Sequence, residues 1–180
     1  MGCDIHAYVE YADWDSDTGP YWKNFTSNGG SRNYVMFGVL AGVRCPDAKL
    51  FEPKGMPEGK LGFETADAYW LHIAPADKPQ WADGEGWTSL DRAEAWVASG
   101  ASVPYRDEKG ELKRVSHPDW HSHSWLSAGD LDAALRHYEE VVERHYPEKG
   151  VPAEWRAMLA AMREFEVAGA KTRLVFWFDN

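Results

Sequence analysis

Basic tracts are nearly absent from this sequence: its longest run of Lys and Arg is the pair Lys113-Arg114, and the formal net charge is −10. Affinity for nucleic acid rests on neutralising phosphates with cations, so duplex DNA or RNA is not expected as a main partner. A small anionic ligand stays open, because one pocket can be locally basic on an acidic protein. No apolar run approaches the roughly 18 residues that span a bilayer, and no signal-peptide apolar core is found, so a cytoplasmic protein without a membrane partner is expected. Only two cysteines occur, Cys3 and Cys45, without CxxC spacing, which argues against a zinc knuckle or a disulfide framework. No Gly-x-Ser-x-Gly elbow surrounds Ser122 or Ser124, so a nucleophilic serine triad lacks its context. Gly2-Cys3 is followed by His6 where an acylation signal needs Ser or Thr. Asp13, Asp15 and Asp17 imitate a calcium loop, but Thr18 and Asn24 stand where an EF-hand places Gly and Glu.

Aromatic residues, by contrast, are abundant. Ten Trp, eight Tyr and seven Phe in 180 residues suit either an aromatic core or a concave site with flat walls for a planar ligand. A chain of this length fits one domain, residues 1–180, and neither an internal repeat nor a boundary is evident. Residues 3–11 alternate, with Cys3, Ile5, Ala7, Val9 and Tyr11 on one side and Asp4, His6, Tyr8 and Glu10 on the other, which predicts a strand. A turn follows, and Tyr21 to Phe25 returns as a second arm. A short helix is expected from a Ser31 cap, with Tyr34, Phe37, Leu40 and Ala41 buried and Gly42 helping to stop it. From Cys45 to Trp87 the chain is rich in Pro and Gly and reads mostly as loop, with a strand at "AYWLHI". Ser89 opens a helix, and residues 103–116 form a hairpin turning at Lys109-Gly110.

Ser127 and Asp130 approximate a capping box before a helix that buries Leu131, Leu135, Tyr138, Val142 and His145. Pro152 starts the last helix, with Trp155, Met158, Leu159, Met162 and Phe165 inward and Gly169 as its stop. "TRLVFWFDN" is apolar on both faces, as a central strand covered on both sides should be. The expected class is α+β: a mainly antiparallel sheet containing the N- and C-terminal strands, three to four helices packed on it, and long Pro/Gly-rich loops.

Chemistry-bearing side chains concentrate in "HPDWHSHSW", residues 117–125, and in the two terminal strands. Asp4 and His6 share a strand face, and His121 and His123 repeat the same spacing. With Asp179 they make a candidate site of three imidazoles and two carboxylates, suited to a divalent transition metal (Zn, Mn or Fe) that could activate a water for hydrolysis. The same segment also suits an anion without a metal. Serine hydroxyls, imidazole N–H groups and the amides opening the next helix can donate to phosphate or carboxylate oxygens. Arg32, Arg44, Lys54 and Arg173 could add charge-assisted bonds, while Trp120, Trp125 and Trp177 offer ring faces. A third reading is purely structural: His117 and Asp119 form a turn about Pro118, the serines cap the helix and the tryptophans fill the core. His72, His137 and His145 stand alone in sequence and read as structural or solvated.

"MGCDIHAYVE", "RNYVMFGVLAGVR", "PKGMP", "HSHSWL" and "RLVFWFDN" together resemble a family of proteins carried largely by phages and prophages. The order of segments spans the chain in outline, apart from residues 64–116. The family carries over no established activity. The resemblance implies a mobile-element accessory protein in the host cytosol, and by analogy one that acts on host machinery or on nucleotide immune signals. The shared segments hold Asp4, His6, Arg32, Tyr34, Arg44, His121, Ser122, Ser124, Trp125, Arg173 and Asp179. Three functions are carried forward. The first is binding of a small anionic, nucleotide-derived ligand by Arg32, Tyr34, Arg44, His121, Ser122, Ser124, Trp125 and Arg173. The second is a metal-dependent hydrolase of the phosphoesterase kind. The third is a host-protein interaction module using residues 45–87. Self-association into a homo-oligomer stays open.

Overall fold

The computed structural model describes residues 2–15, 19–28, 32–145 and 150–179. The α+β expectation holds: among the described residues eight strands form two sheets, accompanied by five α-helices. Where the sequence offers no boundary, the backbone groups into two compact units, one of residues 1–63 with 121–180 and one of residues 64–120. No described helix is long and apolar enough to cross a membrane.

The first unit is built on strands β1 (Asp4–Asp15), β2 (Gly19–Asn28), β7 (His121–Leu126) and β8 (Thr172–Asp179), ordered β2-β1-β8-β7 and antiparallel throughout. β8 is central, and its residues Thr172 to Phe178 are all buried, as its two-sided apolarity predicts. Alternation assigns the faces. Ile5, Ala7 and Val9 join Leu174, Phe176 and Phe178 in one core with the helices α1 (Tyr34–Ala41), α4 (Ala128–His145) and α5 (Ala153–Val167).

Caps explain the helix ends. Asn33, rather than Ser31, caps α1: its Oδ1 accepts the Met36 N–H at 3.1 Å, and Ser31 itself lies outside the described residues. Gly42 ends α1 with φ 71°, a conformation that favours glycine. α1 is buried along Met36–Ala41, whereas Tyr34, expected inward, is 39% exposed. The Ser127–Asp130 box is reciprocal, with Asp130 N–H on Ser127 Oγ at 3.1 Å and Ser127 N–H on Asp130 Oδ2 at 3.2 Å. Leu131, Leu135, Tyr138 and Val142 are buried as expected, and the His145 side chain lies outside the described residues.

The second unit holds β3 (Trp70–Ile73), β4 (Trp87–Thr88), β5 (Pro104–Arg106) and β6 (Leu112–Ser116), ordered β4-β3-β6-β5 with only β3 and β4 parallel. Helix α3 (Leu90–Ala98) is capped by Ser89 and places Ala93 against Leu112 and Val115. The stretch from Cys45 to Trp87 is less loop-like than its composition suggests. It contains α2 (Phe63–Tyr69) and two 3-10 turns, Pro46–Ala48 and Pro79–Asp83.

Gly38 is set by packing: a Cβ there would collide with the Cys45 carbonyl and lie 3.1 Å from the Ala48 Cβ. Gly129, near the start of α4, would meet nothing closer than Ser127 Oγ at 3.7 Å. Urea unfolding should therefore show Gly38→Ala destabilising by about 1–3 kcal/mol. Gly129→Ala should be neutral or stabilising by up to about 1 kcal/mol. Equal effects at the two sites would contradict this packing.

Candidate ligand-binding cleft

Arg173 and Glu10 face each other across the β1–β8 ladder, on the side of the sheet opposite the α-helices. Their side chains are 5% and 0% exposed, so both charges are removed from water. Arg173 Nε donates to Glu10 Oε2 at 2.7 Å and Nη2 donates to the Lys60 carbonyl at 2.9 Å. Glu10 Oε1 accepts the Gly62 N–H at 2.7 Å. The guanidinium also lies over the Trp22 ring, 3.8 Å from its centroid. Burial pushes the Arg173 pKa down, and the Glu10 charge and hydrogen bond offset that shift only in part. Both ions are satisfied, which an ion pair in low dielectric requires.

These bonds lash residues 54–62 over the polar face of the sheet. Two more join them: Lys54 N–H donates to Ser124 Oγ at 3.1 Å, and Gly55 N–H to the His123 carbonyl at 2.9 Å. A Cβ on Gly62 would stand 2.5 Å from Asn24 Oδ1 and 3.0 Å from Glu10 Oε1, so only glycine lets the segment approach this closely. Beside it opens a cleft of about 880 Å³. Trp22 and Trp125 supply aromatic surface, Met56 and Pro57 come from the segment, Lys171 stands just before β8 and Arg173 lies near its start. Lys54 Nζ sits over the Trp125 ring at 4.8 Å and pairs with Asp130 at 3.1 Å. The lining carries three cations, Lys54, Lys171 and Arg173, against two carboxylates, Glu58 and Glu166. Lys54 and Arg173 are already paired with Asp130 and Glu10, which leaves Lys171 as the lining cation outside those two ion pairs.

Of the residues expected to bind a ligand, Trp125 and Arg173 line this cleft, and so does Lys54. The others do not. Arg32 donates Nε and Nη2 to the two oxygens of Asp4, and this contact holds the Asp4 carboxyl below its usual range. Tyr34 packs edge-on against Phe37. Arg44, with φ 59°, lies beside the Cys3 thiol, whose pKa burial raises and Arg44 partly lowers. Ser124 is buried under Lys54, and Ser122 Oγ bonds His121 Nδ1 at 3.0 Å. The serines of "HSHSW" therefore bond within the protein instead of presenting a phosphate cradle.

The same segment is a strand rather than a loop before a helix, because the doubly covered β8 requires a partner on its free edge. Ser122, at φ 51°, marks a bulge that shifts the register between His121 and Ser124. The chain passes from the second compact unit to the first within residues 117–125, since His117 to Trp120 belong to the second and His121 onward to the first. His117 and Asp119 make the expected turn, with Trp120 N–H on the His117 carbonyl at 3.2 Å.

The metal set converges only in part. Asp4 and Asp179 are register partners, and His6 Nε2 bonds Asp179 Oδ2 at 3.0 Å. His121 pairs with Phe178 and stacks on its ring, whereas His6 stacks on Trp177, so register places them on opposite faces of the sheet. Asp4 is taken by Arg32, and His6 and Asp179 by each other. Among the described residues no group of three or more His, Cys, Asp or Glu is arranged to hold a metal. The five residues do not fit a divalent-metal centre.

Sequence reading missed Glu10, Trp22 and Lys171. The available signal was Arg173 itself: a charge in an otherwise apolar central strand requires a carboxylate, and Glu10 is in register with it. No family model, curated protein or solved structure matches the chain.

Two outcomes follow. Glu10→Gln strands a buried guanidinium and should cost about 3–5 kcal/mol in urea unfolding, with Glu10→Leu/Arg173→Leu costing less than the two single changes combined. Strict additivity would contradict a coupled pair. The second outcome concerns His123, whose pKa is pushed down to about 4, chiefly by burial and further by His121. An unfolded histidine titrates near 6.5, so the folded state binds fewer protons and stability falls as pH drops from about 6.5 to about 4. His123→Leu should lose part of that slope, and an unchanged slope would show that the imidazole is solvated.

Proposed function

We propose that this protein binds a small anionic, nucleotide-derived ligand in the cleft floored by Arg173, without covalent chemistry. The supporting observation is a cleft lined by Lys54, Lys171, Arg173 and two indoles in a strongly acidic chain. The volume of about 880 Å³ falls within the range of small-ligand pockets, about 300–1,000 Å³. Glu10 and Asp130 already neutralise Arg173 and Lys54, so Lys171 is the lining cation that would meet a phosphate. Trp125 and Trp22 would take a ring by stacking on the faces that Lys54 and Arg173 leave. On the phage resemblance, such binding would act by sequestering a nucleotide signal.

Calorimetry against a panel of linear and cyclic nucleotides tests this reading. At least one should bind, and Lys171→Glu should weaken it about tenfold or more, with the loss shrinking at high salt. Trp125→Ala should cost about 1–3 kcal/mol of binding, the usual worth of a stacked base. Absence of heat with every nucleotide, from protein that is folded by circular dichroism, would reject the proposal.

A further inference from the structure

Residues 64–120 contain a separate cavity of about 950 Å³. Four of the ten tryptophans line it: Trp70, Trp87, Trp96 and Trp120. All four are only half-buried, and Trp120 also stacks on Tyr69 with ring centroids 5.6 Å apart. Histidines join them into a curved wall. His72 tilts 37° against Trp87 with centroids 5.0 Å apart, and His117 lies between Trp96 at 6.4 Å and Trp120 at 5.6 Å. Rings inclined by 37–45° make a concave aromatic surface rather than a parallel stack.

The polar lining restricts what could lie on that surface. Asp67 and Glu85 contribute two negative charges and Arg92 one positive charge. Burial and the neighbouring Arg114 lower the His72 pKa, so it adds no charge at neutral pH. An anion would meet two carboxylates, and the whole unit has eleven acidic residues against six Lys and Arg, a net of −5. A lone ammonium head would fill a small part of this volume and would share it with the Arg92 guanidinium. A neutral ligand bearing many hydroxyls conflicts with neither. Each hydroxyl both donates and accepts, matching carboxylates that accept and a guanidinium that donates. Glu85 lines the cavity between Gly84 and Gly86 and is exposed.

We propose that this cavity binds a neutral carbohydrate, with sugar rings laid by their C–H faces on the tryptophans and hydroxyls bonded to Asp67, Glu85 and Arg92. The site is independent of the cleft of the first unit.

The full chain should be tested on a glycan array and then titrated with maltose, cellobiose and chitobiose, following tryptophan fluorescence. Adenosine and tetramethylammonium serve as rival probes. At least one saccharide should bind at millimolar concentration or tighter. Trp87→Ala and the conservative, exposed Glu85→Gln should each weaken it about fivefold to tenfold, while Trp22→Ala in the first unit leaves it unchanged. Glu85→Gln keeps the test valid should Trp87→Ala fail to fold. No saccharide binding, saccharide binding indifferent to Glu85→Gln, or stronger binding of adenosine or tetramethylammonium would each overturn the proposal.

Discussion

A guanidinium with 5% of its side chain exposed sits in the central strand of the first sheet, and the polar face of that sheet is organised around neutralising it. Desolvating Arg173 costs several kcal/mol unless an opposite charge and hydrogen bonds replace the lost water. Glu10 supplies the charge from the neighbouring strand. The remaining bonds come from the main chain at Lys60 and Gly62, so satisfying the ion pair fixes where residues 54–62 cross the sheet. The cleft is a consequence. Its floor is Arg173, one wall is the Trp22 ring that the guanidinium covers, and its rim is the segment the pair holds down.

The sheet therefore separates two tasks. Its helix-facing side is an apolar core running from Ile5 through Phe176 to Trp155, where shape and volume decide stability. The other side carries Glu10, Arg173, Trp22 and Trp125, where charge and hydrogen bonding decide geometry. Substitutions in the first set should act mainly through folding, those in the second through the cleft. Arg173 belongs to both, because losing it strands Glu10 and also removes the floor.

How much of this was legible varied with the signal. Terminal strands were readable because Cys3-Ile5-Ala7-Val9 alternates and β8 does not, and helices α3 to α5 because their caps and stops are local. Asp4 and Asp179, grouped in one candidate site from the sequence, are register partners, but the metal set they were grouped into does not form among the described residues. Glu10 was not recognised, since on an alternating strand it looks solvent-facing. It is buried by a Pro/Gly segment that has no periodicity to announce it. "HSHSW" hid its strand character behind polar side chains, and its bulge at Ser122 turns the two histidines away from a common register. The split of the tryptophans between two compact units depends on long-range pairing of β3 with β6, which composition does not encode.

The central claim is that the Glu10–Arg173 pair pins residues 54–62 to the sheet. Amide hydrogen exchange of the Gly62 N–H, compared with the exposed Gly59 on the same segment, tests it most directly. Gly62 should exchange at least about a hundredfold more slowly, because its release requires opening the buried pair. Similar exchange rates at the two glycines would contradict the account and leave the cleft without its rim.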